Sequence, residues 1–319
     1  MGLLVVQSGL HATVQDRGRT GYREWGVPVA GAFDRGASAL ANALLGNPAN
    51  VAVLELTLVG GTFQAQIPLA IALAGAPMPA AIVHRDGRER PLAIPQSAPL
   101  GEGDRLVLGP SAVGARTYLA VRGGWLTPLS LGSRSSEDRV RAGDVLPAGP
   151  GITPFRRPVH LPPAGAGHEP IRVVDGPDAP LGFDWGAWEA GTFSVGRQSD
   201  RMGLRLDGDV PVVPPSPDRL STPVAPGAIQ IAGGRAMILG VACGTMGGYP
   251  HLAHVITADL DRIGQARPGD VLRFRRIETA EARRIDRRER FARAGYFRCV
   301  AALAADARGD CLGSPPGHE

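Results

Sequence analysis

Three short polar runs hold the side chains with which this chain could do chemistry. The first is Thr13-Val14-Gln15-Asp16-Arg17-Gly18-Arg19, set between two glycine turns. The second is Ser199-Asp200-Arg201-Met202-Gly203, and the third is Gly244-Thr245-Met246-Gly247-Gly248-Tyr249-Pro250. An arginine fork grips carboxylates or phosphates in two-point fashion, and an aspartate can exchange a proton with a bound group. A glycine-rich turn can offer backbone N–H groups to an anion, but this one lacks the helix start that strengthens phosphate loops, so a structural hairpin is the favoured reading. No nucleophile elbow or Ser-His-Asp order is present, and the seven histidines are dispersed with none paired at i, i+4, so no metal spacing is read.

Composition narrows the chemistry further. All 34 basic residues are arginine; with no lysine, the chain cannot carry biotin or pyridoxal phosphate on a side chain and cannot build a P-loop. The net charge of +4 is read as arginine usage and not as a nucleic-acid surface. Cys243, Cys299 and Cys311 are too few and too scattered for a disulfide framework, and are expected to be reduced and mostly buried. The first residues, Met1-Gly-Leu-Leu-Val-Val, lack a basic region and read as a strand, and no apolar run approaches the ~20 residues that span a bilayer. A soluble, cytoplasmic protein is expected, with no nucleic-acid or membrane partner.

The elements that must position these residues are short. With 44 glycines and 29 prolines in 319 residues, long helices are disfavoured and many strands joined by turns are expected. Gly-Asp-x-Leu occurs at 103–106, 143–146 and 269–272, each a turn feeding an apolar strand, with Asp as the local hydrogen-bonding group. Strands are expected at 236–242, 251–257 and 270–275. One helix is well specified: Asp34 as N-cap, an apolar stripe at Ala37, Leu40, Ala41, Leu44 and Leu45, and Gly46 at its end. A second is expected from Thr279 to about Arg293, its arginines forming a solvated face, with a disordered tail after about Ala305. The prolines and glycines of 147–170 exclude a central strand or helix. The divisions are therefore an N-terminal β-domain over 1–150, a linker over 151–170, a C-terminal β-domain over 171–280, and a helix and tail over 281–319.

Taken in order, the runs resemble a family. Thr13-Val-Gln-Asp16-x-Gly-Arg19-x-Gly-Tyr22, Gly26-Val-Pro28, Gly31-Ala-Phe-Asp34, Ala41-Asn42, Gly46-Asn47 and Leu54-Glu55 are similar to the bacterial biotin-dependent carboxyltransferase-like proteins. These include the C-type subunit of 5-oxoprolinase, the allophanate hydrolase subunit 2 proteins and the sporulation-kinase-inhibitor antagonist. The resemblance continues through Gly123-Gly124, Leu131-Gly-Ser-Arg134-Ser135, Ser199–Gly203, Gly227-x-Ile229-Gln230, Gly247–Pro250 and Pro268-Gly-Asp270. It implies a mainly β fold of two tandem cyclophilin-like β-barrel domains with a few short helices. It also implies an ATP-dependent 5-oxoprolinase-type amidohydrolase, active only with A-type and B-type partner subunits. ATP would be used by the complex, and no biotin would be attached to this chain. The alternatives it leaves are a carboxyltransferase half-module of a biotin-dependent urea or amide carboxylase, and a non-catalytic regulatory binding subunit.

Carried across by position, the resemblance implies Asp16 and Glu55 as acid–base candidates and Arg19, Arg134 and Arg201 as clamps. Gln15, Asn42, Asn47, Ser133, Ser199, Thr245, Gly247, Gly248 and Tyr249 are the further substrate- or anion-binding candidates. Bland roles stand beside these: a turn for Asp16 and Asn42, an arginine partner for Glu55, a helix cap for Asp34. Two departures bear on the site. Ala242, Gly244 and Met246 replace the Asp, Gln and second Thr of the family's Asp-x-Gln-Thr-Thr-Gly-Gly-Tyr-Pro pattern, and after Ser135 the run Glu137-Asp-Arg-Val-Arg141 replaces a longer glycine-rich segment.

Overall fold

A computed structural model of the chain describes residues 1–158, 169–179, 184–210 and 219–306. Its first unit is two stacked antiparallel sheets. One sheet orders Val145–Pro147, Gly2–Gln7, Thr62–Ala65, Arg105–Leu108, Ala80–Val83 and Glu89–Leu92; the other orders His11–Gln15, Val53–Thr57, Arg116–Val121, Leu69–Gly75 and Gln96–Leu100. Between them lies a core that includes Leu54, Leu56, Ile71, Leu73, Leu119, Phe63, Ile82 and Leu106.

The strand Leu69–Gly75 shows how the sequence sets two faces at once. Strand side chains alternate, so Ile71 and Leu73 enter that core while Ala70, Ala72 and Ala74 face the other way. The small alanines leave room for helix α1 (Arg35–Ala43), which lays Leu40, Ala41 and Leu44 on them. Burying each leucine contributes about 1.5–3 kcal/mol. Asp34 accepts from the Ala37 N–H at the helix start, and Gly46, at φ +68°, closes the end as expected.

The second unit is one eight-stranded sheet, Val271–Leu272, Phe193–Val195, Gly203–Asp207, Arg235–Leu239, Ala228–Ala232, His251–Val255, Ile171–Asp175 and Phe274–Arg276. Its two edge strands are consecutive in sequence. Val271–Leu272 pairs antiparallel with Phe193–Ser194 and Phe274–Arg276 pairs parallel with Ile171–Val173, so a strand broken at Arg273 closes the sheet into a barrel. Its interior includes Ile171, Val173, Trp188, Phe193, Ile229, Ile238 and Phe274. The mainly β expectation with few helices holds.

Several boundaries differ from the sequence reading. The strand expected to reach Ala242 ends at Leu239, because the chain turns at Gly240, where a Cβ would stand 2.3 Å from the Arg201 carbonyl. That expected to reach Thr257 ends at Val255 and gives way to a 3-10 turn, Thr257–Asp259. Glycine turn 244–250 is not a hairpin; Met246–Gly247 pairs with Thr222–Pro223 instead. Helix α4 runs Thr279–Asp306, well past Arg293, because Tyr296, Phe297 and Val300 pack in the cluster formed by α1 and its sheet. At the start of the expected linker, Arg156 bridges to Ser97 and stacks Phe155 on the first core; residues 159–168 and the expected tail from 307 lie outside the described residues. Cys243 is buried but Cys299 is exposed, against expectation, since it falls on the outer face of α4; Cys311 lies outside the described residues.

The three Gly-Asp-x-Leu segments form the same turn. Asp104, Asp144 and Asp270 each accept from the N–H three residues earlier, at Gly101, Arg141 and Arg267, and the preceding glycine takes φ of +85°, +93° and +90°.

Candidate functional site

The two units meet along a seam built by three loops, Asp16–Gly31, Ser130–Val140 and Ser199–Met202. Asp16 organises the first two. Its carboxylate accepts from Gly18 N (2.7 Å), Ser133 Oγ (2.6 Å), Arg134 N (2.6 Å) and Ser135 Oγ (2.7 Å). Burial pushes this carboxyl up, but the donors outweigh it and hold it below the usual carboxylate range. Beside it, Gln15 donates from Nε2 to Thr13 Oγ1 and the Ser136 carbonyl, and Arg19 donates to the Ser135 carbonyl. The Arg134 backbone is fixed by Asp16, whereas its guanidinium has no partner among the described residues.

Across the seam Arg201, 4% exposed, spends its whole fork. Nη1 donates to Glu55 Oε1 at 2.5 Å, Nε and Nη2 donate to Glu137 at 2.8 and 3.0 Å, and Nη2 also donates to the Gly31 carbonyl at 2.8 Å. Glu55 is fully buried and also meets Arg116 Nε at 3.3 Å, the Phe33 N–H and the Tyr118 hydroxyl, both at 2.9 Å. Burial would raise its pKa; Arg201 and Arg116 more than cancel that, and Glu55 stays ionised below its ordinary value. Arg116 donates to the Gly264 carbonyl, so the cluster couples the units from both sides. Gln265 adds bonds to Asp34 and to the Ala115–Arg116 backbone.

In front of this cluster opens a cleft of about 290 Å³, lined by Ser8, Leu10, His11, Glu137, Arg139 and Arg141 among others. His11 is half-buried on the strand His11–Gln15, and burial, then Arg139 and Arg201, lower its pKa, so it is neutral at pH 7. A neutral imidazole next to two arginine side chains, Arg139 and Arg141, that have no ion-pair partner among the described residues can move a proton while a substrate carboxylate is held.

The sequence-predicted residues therefore divide. Gln15, Asp16, Arg19, Ser133, Arg134, Glu55 and Arg201 meet at the seam, where the polar groups of Asp16, Glu55 and Arg201 are taken up by internal bonds. Asn42 and Asn47 stand apart; they tie the turn after α1 to Val51, Val121 and Gly123. Ser199 caps the Arg205 N–H at a barrel turn. Thr245, Gly247, Gly248 and Tyr249 lie on the barrel rim, with the Thr245 carbonyl bonded to Val224 N and the Val224 carbonyl to Arg23. Ala242 N bonds the Arg201 carbonyl and Val241 accepts from Ala30 N, which joins this rim to the seam. The residues missed are His11, Glu137 and Arg139. Two of them belong to the segment that departs from the family pattern, and that departure was the available signal. Among the described residues no group of three or more His, Cys, Asp and Glu is placed to hold a metal ion, and no helix is long and apolar enough to cross a membrane.

Comparison with known proteins bears on this geometry. The model of the carboxyltransferase domain, subdomain A and B, matches residues 25–276. The chain is 31% identical over 294 residues to the C-type subunit of 5-oxoprolinase from Escherichia coli K12, covering 88% of this chain and 93% of that protein. It is also 31% identical over 301 residues to the urea amidolyase of Saccharomyces cerevisiae, covering 83% of this chain but 16% of that protein. Among solved structures, TTHA0988 superposes with a TM-score of 0.75 at 34% identity, over 86% of this chain and 56% of the other. The Kluyveromyces lactis urea carboxylase superposes at 0.82 and 27% identity, over 92% of this chain and 29% of the other.

Proposed function

The chain belongs to the carboxyltransferase domain A and B family, and from that premise we propose that it is the C-type subunit of a 5-oxoprolinase, opening a cyclic amide to an amino acid in concert with partner subunits. One observation carries this reading: the E. coli C-type protein is matched over 93% of its length, whereas the yeast urea amidolyase is matched over only 16% of a much longer polypeptide.

The cleft suits such a substrate. A lactam is a poor electrophile, so its carbonyl must be activated, here by phosphorylation from ATP used by the whole complex, before water adds. Arg139 and Arg141 would hold the substrate carboxylate. His11, neutral at working pH, would pass the proton that ring opening requires, and the Glu55–Arg201–Glu137 ladder would fix Glu137 and the cleft wall. Mixing this chain with A-type and B-type partners tests the proposal: ATP hydrolysis should become oxoproline-dependent only when all three are present. A rate indifferent to adding this chain would refute it.

A second reading is favoured by the 0.82 superposition on the Kluyveromyces lactis urea carboxylase. In it, the cleft accepts a carboxyl group from biotin on a separate carrier. Carrier-dependent carboxylation of urea by this chain, without oxoproline turnover, would decide for it.

A further inference from the structure

Thr57 is directly opposite His11 in the register of the strands His11–Gln15 and Val53–Thr57. Residues paired in this way share one side of the sheet, with Cβ atoms about 4.5–5.5 Å apart. That side is the seam side, because Glu55, two residues before Thr57, meets Arg201 there. Thr57 Oγ1 is buried and has no hydrogen-bond partner among the described residues. Its other neighbour in register, Arg116, sends Nη1 to the Gly264 carbonyl instead.

A buried hydroxyl left unpaired costs stability, and most are paired. The neighbour across the strand gives this one a use. The His11 ring borders the cleft and makes no hydrogen bond among the described residues either. A neutral imidazole has one N–H and an imidazolium has two, and a hydroxyl oxygen can accept the second. Bonds from a charged donor are about twice as strong as neutral ones, so Thr57 favours the protonated ring over the neutral one. The charged groups around His11 do not favour it in the same way. Glu55 on the neighbouring strand and Glu137 beside the cleft are both held by Arg201, and Asp138 by the Ser136 hydroxyl. Arg139 and Arg141 add positive charge at the cleft, and Arg116 adds it beyond Thr57.

We propose that Thr57 is a positioning residue for His11, its hydroxyl oxygen accepting from the imidazolium formed while His11 carries a proton from water to substrate. This deepens the function proposed above and rests on it for the step itself. The proton leaves the attacking water, resides on His11, and passes to the ring nitrogen as the C–N bond breaks. The bond to Thr57 is made only while the proton is in transit. The resting protein therefore holds an acceptor in place for a charge that has yet to form, which is how a fixed dipole favours reaction over binding.

The test follows the Hε1–Cε1 NMR signal of His11 against pH in the isolated full chain, the signal being assigned by its loss in His11→Phe. Thr57→Val keeps the β-branched shape and removes the oxygen. It should lower the midpoint of the His11 titration by about one pH unit, the worth of one bond to a charged group, and Thr57→Ser should keep the wild-type midpoint. At neutral pH the melting temperature of Thr57→Val should be unchanged or higher, because no resting bond is lost. Thr57→Ala takes its place if the valine variant does not fold. A His11 midpoint that is the same in a folded variant without the hydroxyl would overturn the proposal. So would a melting temperature lower by more than about 4 °C in Thr57→Val. The titration needs no turnover: a reconstituted complex indifferent to oxoproline would refute the subunit function alone, and an unmoved titration the role of Thr57 alone.

Discussion

Replacing Arg201 by methionine keeps most of the aliphatic stem and removes the fork that joins the two units. Glu55 would then remain buried with its charge answered only by Arg116 at 3.3 Å and by the Phe33 N–H and Tyr118 hydroxyl. Breaking a buried pair by removing one partner costs about 3–5 kcal/mol. The surviving contacts place Glu55 toward the lower end of that range. The lost bonds to Glu137, which is 46% exposed, add at most about 1 kcal/mol. The expected loss is thus about 3–4 kcal/mol, read from the midpoint and slope of guanidinium unfolding. Glu55→Gln in the same background should return part of it, because the stranded charge is gone, giving a coupling of about 2 kcal/mol or more in a double-mutant cycle. A single-mutant loss below about 1 kcal/mol, or additive single mutants, would refute the hub.

Other expectations are equally direct. His11→Phe should lower oxoproline-dependent turnover in the reconstituted complex by about 10²–10⁴-fold while the unfolding midpoint barely moves, as measured by steady-state kinetics and denaturation in parallel. Asp16→Ala removes the acceptor of four hydrogen bonds and should destabilise by about 2–4 kcal/mol on chemical denaturation, with Ser133→Ala costing less because Ser135 and two backbone donors remain. Asp34 is raised to about 7 by burial and by the neighbouring Asp261 carboxylate. Its native form therefore holds a proton more tightly than the unfolded chain, and its contribution is full below pH 3.8 and is lost as pH rises toward 7. Asp34→Ser keeps a capping oxygen but removes this titration, so wild type minus variant stability should fall between pH 5 and 7.5 by at most about 3 kcal/mol and flatten above. His11, His251 and His254, whose lowered values act in the opposite sense, are common to both proteins.

Much of this architecture is local enough to read in the chain. The α1 stripe, its Asp34 cap and its Gly46 stop coincide with the observed helix, and the three Gly-Asp turns have the expected hydrogen bonds, because each depends on residues within a few positions of one another. The seam was legible only in part. Asp16 and Arg201 are flagged by their motifs, but that their polar groups are consumed internally depends on Ser133, Glu55 and Glu137, all more than 60 residues away. His11 escaped notice for the same reason: one histidine in an apolar strand has no local signature until Arg139 and Glu137 are folded beside it. The length of α4 was missed because its last turns are held by contacts to α1, which no pattern within the helix reveals.

The strand broken at Arg273 has a consequence for how the polypeptide matures. Until residue 276 has left the ribosome, Phe193–Val195 and Ile171–Asp175 each present an unpaired edge, open to association with a neighbouring nascent chain. The helix that follows then reaches back to α1, so α1 acquires this neighbour more than 200 residues after its own synthesis. Premature termination anywhere before this segment would leave an aggregation-prone product and not a smaller working one.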